Sequence, residues 1–387
     1  MTKLPEAFNY ASLTRIVFGA GAVENVGAEG RGAGGTKALV VTDQGVLKAG
    51  LIQGVVDSLA KAGLGVVVYD KVTTNPTLEV AYGGHRMYSN VGCDILVAVG
   101  GGSSIDAAKV IGVLANNPGP LDQYEGSDRF KNPIPPLIAI PTAAGTGAEV
   151  TFSALVTDPE RHYKVSVRSP KLCPMVAILD PGMLKTLPSH IAATTGMDTL
   201  THAVEAYVST AANPITDLLA LEAIKLCGKW LKRFVTGPDD YEAAASMQLA
   251  CIYAGMAFAN ARLGNAHAMA HPLGGFFNLH HGLACAIVLP RVMGYNLSDS
   301  PHKYAEVARA IGQQVENLSL SEAAESASRA VYDLLNELDL PTGLGEVGVT
   351  VDKIPEMARD AVNSGIHNTN PRATDLNDLI QLYEMCM

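Results

Sequence analysis

The chain lacks the surplus of basic residues that nucleic-acid-binding proteins carry. Its 387 residues include 28 Lys and Arg against 38 Asp and Glu, which gives a formal net charge of −10 at pH 7. No dense basic stripe occurs: the nearest approach, Lys229, Lys232 and Arg233, has the spacing of a solvated helix face. This composition disfavours nucleic acids and anionic membranes as partners.

Closely spaced cysteines are also lacking. The nearest two of the six, Cys227 and Cys251, are 24 positions apart, so there is no Cys-x-x-Cys pair. Scattered cysteines in a chain of this length are typical of reduced thiols in the cytoplasm. The first nine residues contain Lys3 and Glu6 and no apolar stretch, so we expect no signal peptide and a cytoplasmic protein.

Apolar runs, by contrast, are abundant in the first half of the chain, where they alternate with helical patterns. Continuously apolar runs separated by helices predict a parallel sheet that is buried on both faces. We therefore expect an α/β, Rossmann-like domain over residues 1–185. The predicted strands cover residues 37–42, 65–69, 94–99 and 137–140, and the predicted helices cover residues 45–62, 77–91 and 104–115.

The pattern changes near Pro188. Apolar residues now recur at spacings of three and four, which predicts amphipathic helices. Pro188, Pro214 and Pro238 lie near the expected helix starts, where proline is tolerated. We expect an all-α domain over residues 186–387, with helices that include residues 191–210, 214–234, 241–263 and 321–338.

Two glycine-rich turns follow predicted strands. Residues 100–104 (GGGSS) come after the strand at 94–99, and residues 141–149 (PTAAGTGAE) come after the strand at 137–140. Glycines at a strand–helix junction expose backbone N–H groups to a phosphate, although neither the Gly-x-Gly-x-x-Gly nor the P-loop spacing is present. Loops at the carboxyl ends of parallel strands face one crevice, which favours a nucleotide over a plain turn.

Asp43 ends the first predicted strand. An acid at this position accepts hydrogen bonds from the ribose hydroxyls of NAD and repels the 2′-phosphate of NADP. An N-cap for the following helix is an equally good interpretation of the same residue.

Histidines cluster in the second half. Asp198 and His202 lie four residues apart, as do His267 and His271, and His281 follows. On a helix such pairs share one face. Their neighbours are mostly Ala, Gly, Met and Leu, among which an unpaired imidazole is costly. A carboxylate with at least three imidazoles is typical of a catalytic transition-metal site. The pattern leaves open which histidines bind the ion, and whether that ion is Fe²⁺ or Zn²⁺.

Taken together, these motifs resemble those of the iron-containing (group III) alcohol dehydrogenases over nearly the whole chain. The matching segments are residues 100–103 with Asp106 and Lys109, and residues 141–149, 196–207, 254–258, 263–282 and 370–372. The resemblance implies a dehydroquinate synthase-like architecture. The chain departs from the family pattern at Ala143, where members often have threonine, and at Ser153, where several have a larger or amide side chain.

The resemblance also implies a set of site residues. The implied metal ligands are Asp198, His202, His267 and His281. His271 is implied as the catalytic residue beside the nicotinamide. The implied NAD contacts are Asp43, Asn75, Gly101, Gly102, Ser103, Thr142, Thr146 and Lys164, and the implied substrate pocket includes Ser153 and Phe258.

The activity implied by the resemblance is hydride transfer between NAD and a small primary alcohol or diol, with Fe²⁺, or alternatively Zn²⁺, as the metal cofactor. The enzyme is thus expected to be an alcohol dehydrogenase or aldehyde reductase with a small-molecule substrate, in a homodimer or a larger homo-oligomer. One alternative is a metal- and NAD-dependent lyase or cyclase of the dehydroquinate synthase-like group. Another is a Zn²⁺-dependent polyol dehydrogenase of the glycerol type, and a third is a non-enzymatic interaction protein.

Overall fold

The structure is a computed structural model that describes residues 7–159 and 163–387. Its backbone contacts divide the chain into two compact units. The first unit spans Ser12–Leu187, and the second spans Pro188–Met387 together with residues 7–11.

Strands dominate the first unit. They are β1 (Arg15–Phe18), β2 (Lys37–Asp43), β3 (Gly65–Val72), β4 (Ile95–Gly100), β5 (Gly126–Ser127), β6 (Leu137–Pro141), β7 (Ser153–Asp158), β8 (Tyr163–Arg168) and β9 (Val176–Leu179). Six of them form a parallel sheet in the order β1-β9-β6-β4-β2-β3. Every residue of β4 and β6 is buried, as their unbroken apolar runs predict.

The helices of the first unit are α1 (Val26–Gly32), α2 (Gln44–Lys48), α3 (Ile52–Lys61), α4 (Leu78–Val91) and α5 (Gly102–Asn116). The single helix predicted over residues 45–62 is in fact two helices. Gly50 has a φ of 76°, a left-handed conformation that ends α2 and that glycine adopts without strain.

Five strands, β1, β5, β7, β8 and β9, were missing from the sequence prediction. β1 and β9 pair with each other at one side of the parallel sheet, and both contain only four residues. β7 and β8 form an antiparallel pair in a second, three-stranded sheet with β5. Their alternating polar and apolar residues leave only one face buried, so no continuous apolar run marks them.

Helices make up the second unit. They are α6 (Ser189–Val208), α7 (Pro214–Thr236), α8 (Tyr241–Ala261), α9 (Asn265–Phe277), α10 (His281–Asn296), α11 (Pro301–Ala310), α12 (Leu320–Glu337), α13 (Ile354–Asn363) and α14 (Leu376–Met385). Pro272 lies inside α9, which continues past it to Phe277. The predicted fold class, an α/β domain followed by a helical one, is confirmed. Within the described residues, no helix combines the length and apolar character needed to cross a membrane.

Candidate metal centre and nucleotide-binding loops

Three helices of the second unit bring the predicted metal ligands together. Asp198 and His202 lie one turn apart on α6, His267 lies on α9, and His281 is the first residue of α10. At Gly282, α10 packs closely against α6. A Cβ atom there would lie 2.3 Å from the carbonyl oxygen of Thr194, so only glycine permits this approach.

The carboxylate of Asp198 lies at the centre of the cluster. Its Oδ1 is 3.7 Å from Nε2 of His267 and 3.7 Å from Nε2 of His281. Its Oδ2 is 4.0 Å from Nδ1 of His202, whose ring stacks on that of His267 with centroids 4.4 Å apart. The side chain of His281 is 26% exposed whereas the other three are at most 5% exposed, so the cluster opens towards solvent at His281.

Asp198 is negatively charged in this setting. Burial alone would raise the pKa of its carboxyl group, but the histidines around it, first His202 and then His281 and His267, hold that pKa well below its usual range. Asp198 is therefore an anion at neutral pH, as a metal-binding carboxylate must be.

Glu205, one turn beyond His202 on α6, orients the ring of His267. Its Oε2 lies 2.7 Å from Nδ1 of His267, and its Oε1 accepts a hydrogen bond from the backbone N–H of Ala266 at 2.6 Å. A carboxylate only accepts hydrogen bonds, so Nδ1 carries a hydrogen, and Nε2 is the ring nitrogen that is available to a metal ion. This is the arrangement in which a carboxylate fixes a metal-binding histidine.

The resulting geometry fits a cation. Nε2 of His267 and Oδ1 of Asp198 face each other, both are buried, and neither has a hydrogen-bond partner among the described residues. Two buried polar atoms without hydrogen-bond partners are costly, and a cation bound to both of them would remove that cost. The residues present therefore suit a bound divalent metal ion.

Sequence reasoning assigned no role to two residues at this cluster, Glu205 and Cys285. Among the described residues, Asp198, His267, His281 and Cys285 each offer a metal-binding atom, and these atoms all lie within 4.8 Å of one another. His202 is not one of these four and contacts the group through its ring stacking. Helical spacing was the available signal, because Glu205 is seven residues after Asp198 and Cys285 is four after His281.

Two further predicted residues surround the cluster. The ring of His271, on α9, lies 5.5 Å from the ring of His281. The ring of Phe258, on α8, stacks on His202 with centroids 4.3 Å apart and planes tilted by 15°. Phe258 is half-buried, so it forms part of the wall beside the candidate ligands.

In the first unit, six of the eight predicted nucleotide-binding residues lie at or after the carboxyl ends of β2, β4 and β6, which are neighbours in the sheet. They are Asp43, Gly101, Gly102, Ser103, Thr142 and Thr146. Asp43 ends β2, and its Oδ1 caps α2 by accepting from the N–H of Val46 at 3.0 Å. Its Oδ2 lies 3.5 Å from Oγ of Ser104 on α5. Asp43 is thus a helix cap, and it also faces the glycine-rich turn.

The two glycine-rich turns are in direct contact. The N–H of Thr142 donates to the carbonyl oxygen of Gly100 at 3.1 Å. A Cβ atom on Gly102 would lie 2.6 Å from Cγ2 and Oγ1 of Thr146, so this glycine is required for the turns to pack. A Cβ atom on Gly101, by contrast, would meet no described protein atom within 4 Å, so its backbone borders open space. Ser103 follows in the first turn of α5.

Asn75 and Lys164 lie together on the same unit. Nζ of Lys164, on β8, donates to Oδ1 of Asn75 at 3.3 Å. Asn75 has a φ of 54°, a left-handed conformation that asparagine tolerates better than most residues. The structure thus pairs two residues that are 89 positions apart in the sequence.

Ser153 begins β7, next to a buried lysine. Nζ of Lys109 donates to the carbonyl oxygens of Thr151 and Ser153, each at 2.8 Å. Asp106, one turn before Lys109 on α5, accepts from the N–H of Leu155 at 3.1 Å. These two charged residues of the GGGSSIDAAK segment therefore fix the start of β7 against α5.

A Rossmann-like sheet with glycine-rich loops, followed by helices that hold a buried Asp–His cluster, is typical of metal- and nucleotide-dependent dehydrogenases. Comparison with family models agrees: residues 14–181 match the iron-containing alcohol dehydrogenase model, and residues 192–387 match the C-terminal model of the Fe-containing alcohol dehydrogenase family. The chain belongs to the iron-containing alcohol dehydrogenase family.

Individual relatives support this assignment. The chain is 41% identical to lactaldehyde reductase of Escherichia coli K12, over 95% of this chain and 96% of the relative. It is 37% identical to NAD-dependent methanol dehydrogenase of Bacillus methanolicus, over 95% and 96% of the two chains. A crystal structure of 1,3-propanediol oxidoreductase superposes with a TM-score of 0.97 at 39% identity, covering 99% of this chain and 100% of that one.

These findings confirm several of the predictions. The chain is an oxidoreductase of the alcohol dehydrogenase class that acts on CH–OH groups. The predicted cofactors, iron and NAD, agree with the iron-containing, NAD-dependent character of the family. A small-molecule alcohol is the substrate class that fits this family.

Proposed function

We propose that this protein interconverts short hydroxyaldehydes or aldehydes with the corresponding diols or primary alcohols, using NAD and a metal ion held by Asp198, His202, His267 and His281. The observation that carries the proposal is the pair of buried, mutually facing polar atoms, Asp198 Oδ1 and His267 Nε2, which have no hydrogen-bond partner among the described residues. The names of the relatives, which include a lactaldehyde reductase and a 1,3-propanediol dehydrogenase, support the substrate class.

In this proposal the bound ion supplies Lewis-acid activation of the alcohol oxygen, and NAD accepts the hydride. The protein residues supply geometry and charge. Asp198 contributes the negative charge, and Glu205 holds a hydrogen of His267 on Nδ1, which leaves Nε2 as the nitrogen that is turned towards Asp198 and available to the ion. Phe258, stacked on His202, restricts the motion of that ring and keeps water from one side of it.

His271 is proposed as the residue beside the nicotinamide that carries the hydroxyl proton towards solvent. Its half-buried position, with its ring 5.5 Å from the ring of the partly exposed His281, supports this role. An imidazole suits the task because its ordinary pKa is near 6.5. Ser153 is proposed as a small, polar residue of the substrate pocket.

For the cofactor, we propose that residues 1–185 form the dinucleotide-binding domain and residues 186–387 the helical, metal-binding catalytic domain. The proposed NAD contacts are Asp43, Asn75, Gly101, Gly102, Ser103, Thr142, Thr146 and Lys164. The open space beside Gly101 and the N-terminus of α5 support binding of the pyrophosphate there. Asp43 supports a preference for NAD over NADP. We also propose a cytoplasmic homodimer or larger homo-oligomer.

Reconstitution with metal tests the proposal. Metal-free protein is loaded anaerobically with Fe²⁺ or Zn²⁺ and offered lactaldehyde, propanediols and short alcohols, while NADH absorbance and bound metal are measured. We expect metal-dependent turnover, and the ranking of the two ions distinguishes an iron enzyme from a zinc enzyme. If the protein binds metal and NAD but the NADH concentration does not change, the result favours the lyase or cyclase alternative.

His267→Ala provides the matched variant. It should lose bound metal and activity together while the far-ultraviolet circular dichroism spectrum stays that of the wild type, because a truncated ligand leaves the helices intact. His302→Ala, at an exposed position on α11, is the control and should change neither property. Full activity of His267→Ala without metal would overturn the proposed centre.

A further inference from the structure

Cys285 lies inside the candidate metal centre. It occupies α10 one turn after His281, it is fully buried, and its Sγ lies 3.7 Å from Nε2 of His281. This nitrogen is also 3.7 Å from Oδ1 of Asp198. The sulfur thus approaches the same imidazole nitrogen that faces the proposed metal position.

The atoms of Asp198, His267, His281 and Cys285 lie close enough together to contact one ion. The binding atoms of Asp198, His267, His281 and Cys285 all lie within 4.8 Å of one another, and three of their separations are 3.7 Å. A nitrogen atom about 2.0–2.1 Å from an ion and a sulfur atom about 2.3 Å from the same ion lie roughly 3.6 Å apart at a tetrahedral angle, so the 3.7 Å between Sγ and Nε2 of His281 suits two ligands of one ion. A second observation points to an ion at that centre, because Asp198 Oδ1 and His267 Nε2 are buried and unpartnered among the described residues.

We propose that Sγ of Cys285 is a direct ligand of the bound ion, which adds a thiolate to the proposed set of one carboxylate and imidazoles. The inference rests on the proposed function, since it needs the same metal centre. When the ion binds, the S–H bond breaks, the metal–sulfur bond forms, and the thiol proton leaves to water. No oxidant or reductant takes part in this step.

A sulfur ligand changes which ions the site prefers. Thiolate is a soft ligand that selects Zn²⁺ and similar thiophilic ions, whereas carboxylate and imidazole discriminate less between Zn²⁺ and Fe²⁺. We therefore expect Cys285 to shift the preference of this site towards Zn²⁺ and Co²⁺. It also adds a negative charge beside Asp198, which strengthens binding of any dication.

Substitution with Co²⁺ tests the inference without measuring activity. The wild-type protein loaded with Co²⁺ should show visible d–d bands together with an intense thiolate-to-cobalt charge-transfer band in the near ultraviolet. Cys285→Ser and Cys285→Ala should keep the d–d bands and lose the charge-transfer band, and their Zn²⁺-over-Fe²⁺ preference should fall roughly tenfold or more. Cys227→Ala, at a buried cysteine of α7 outside the cluster, is the control and should behave as the wild type.

X-ray absorption of the Zn²⁺-loaded wild-type protein gives an answer that needs no variant. A sulfur scatterer at about 2.3 Å supports the inference, whereas nitrogen and oxygen scatterers alone overturn it. That second result leaves the proposed function standing, because the ion is still bound. Wild-type protein that binds neither Zn²⁺ nor Co²⁺ overturns the proposed metal centre, and the role of Cys285 with it.

Discussion

Oε2 of Glu205 lies 2.7 Å from Nδ1 of His267, and both side chains are almost completely buried. The contact joins α6 to α9 across 62 positions of sequence and determines which nitrogen of the imidazole faces Asp198. Because Oε1 of the same carboxylate accepts from the N–H of Ala266, Glu205 has little freedom to turn away. A residue that does not touch the proposed ion thus sets the protonation of one that does.

We predict that Glu205→Gln weakens metal binding by about 10- to 100-fold. An amide can keep the bond from Ala266 through its oxygen, but its NH₂ group then faces Nδ1 of His267. The imidazole hydrogen is consequently shifted to Nε2, where it opposes the cation. Competition with a chelator measures the change in affinity. Glu222→Gln, at an exposed position on α7, is the control, and equal affinities for the two variants would contradict the assigned role of Glu205.

Gly101→Ala tests the proposed pyrophosphate site. The backbone of Gly101 (φ −75°, ψ −171°) accepts alanine, and the added methyl group meets no described protein atom within 4 Å. Folding stability should therefore stay within about 0.5 kcal/mol of the wild type. If a phosphate packs against this backbone, the NAD dissociation constant should rise roughly tenfold or more.

Gly54→Ala is the matched control for this variant. It also places a methyl group in open space, on α3, and helix propensity should increase stability by roughly 0.5–1 kcal/mol. Its NAD affinity should equal that of the wild type. Unchanged NAD affinity in Gly101→Ala as well would mean that the pyrophosphate binds elsewhere.

Asp43→Asn separates the two roles of Asp43. Asparagine is as good an N-cap as aspartate, so the hydrogen bond from Val46 is retained while the negative charge is removed. We expect catalytic efficiency with NADP, relative to NAD, to rise about tenfold or more, since like charges in contact cost several kcal/mol. Steady-state kinetics with both cofactors measure the ratio. Asp57→Asn, at an exposed position on α3, is the control. If the ratio of the efficiencies with NADP and NAD is unchanged in Asp43→Asn, Asp43 acts only as a helix cap.

Asp94 should make stability depend on pH. Its carboxylate accepts hydrogen bonds from the N–H groups of Thr36 and Lys37 at 2.9 Å each, and also from the Thr36 hydroxyl. Burial raises the pKa of this carboxyl group, but these bonds outweigh burial and lower it below its ordinary value near 3.8. The stabilisation is thus present above pH 3.8 and is lost as the pH falls through the lower pKa of the folded state.

Asp94→Asn should accordingly lower the free energy of unfolding by about 1 kcal/mol at pH 7. The difference from the wild type should shrink as the pH approaches and passes below 4. Urea unfolding of the metal-free protein over a series of pH values measures this difference. If the difference in the free energy of unfolding between the two proteins does not change with pH, the charge of Asp94 contributes nothing to stability.

Local sequence patterns predicted much of the fold. The strands around Val40, Val97 and Ile138 are continuously apolar and buried on both faces, and each was predicted within a residue or two. β7 and β8 were missed because each buries only one face, so neither carries a continuous apolar run. The division of the predicted helix at Gly50 was missed because a glycine inside a helical pattern is tolerated as often as it ends the helix.

For the candidate site, the sequence predicted the types of residue present but not which of them are in contact. Helical spacing connects Asp198 with His202, and the same spacing connects Cys285 with His281, yet the sequence prediction used only the first pair. Helical spacing in the sequence also does not predict that Phe258, on α8, stacks on His202. Contacts between helices depend on side chains that meet only after the chain has packed, and no local periodicity encodes them.

The sequence by itself determined the element types, the two glycine-rich turns and the residue types able to bind a divalent ion, because these follow from local patterning and from side-chain chemistry. Only the tertiary structure decided which atoms face one another. Glu205 fixes the hydrogen of His267 on Nδ1 and leaves Nε2 opposite Asp198, and the sulfur of Cys285 enters the same group. The reason is physical: a tautomer and a coordination geometry are set by three-dimensional neighbours, and these come from three different helices.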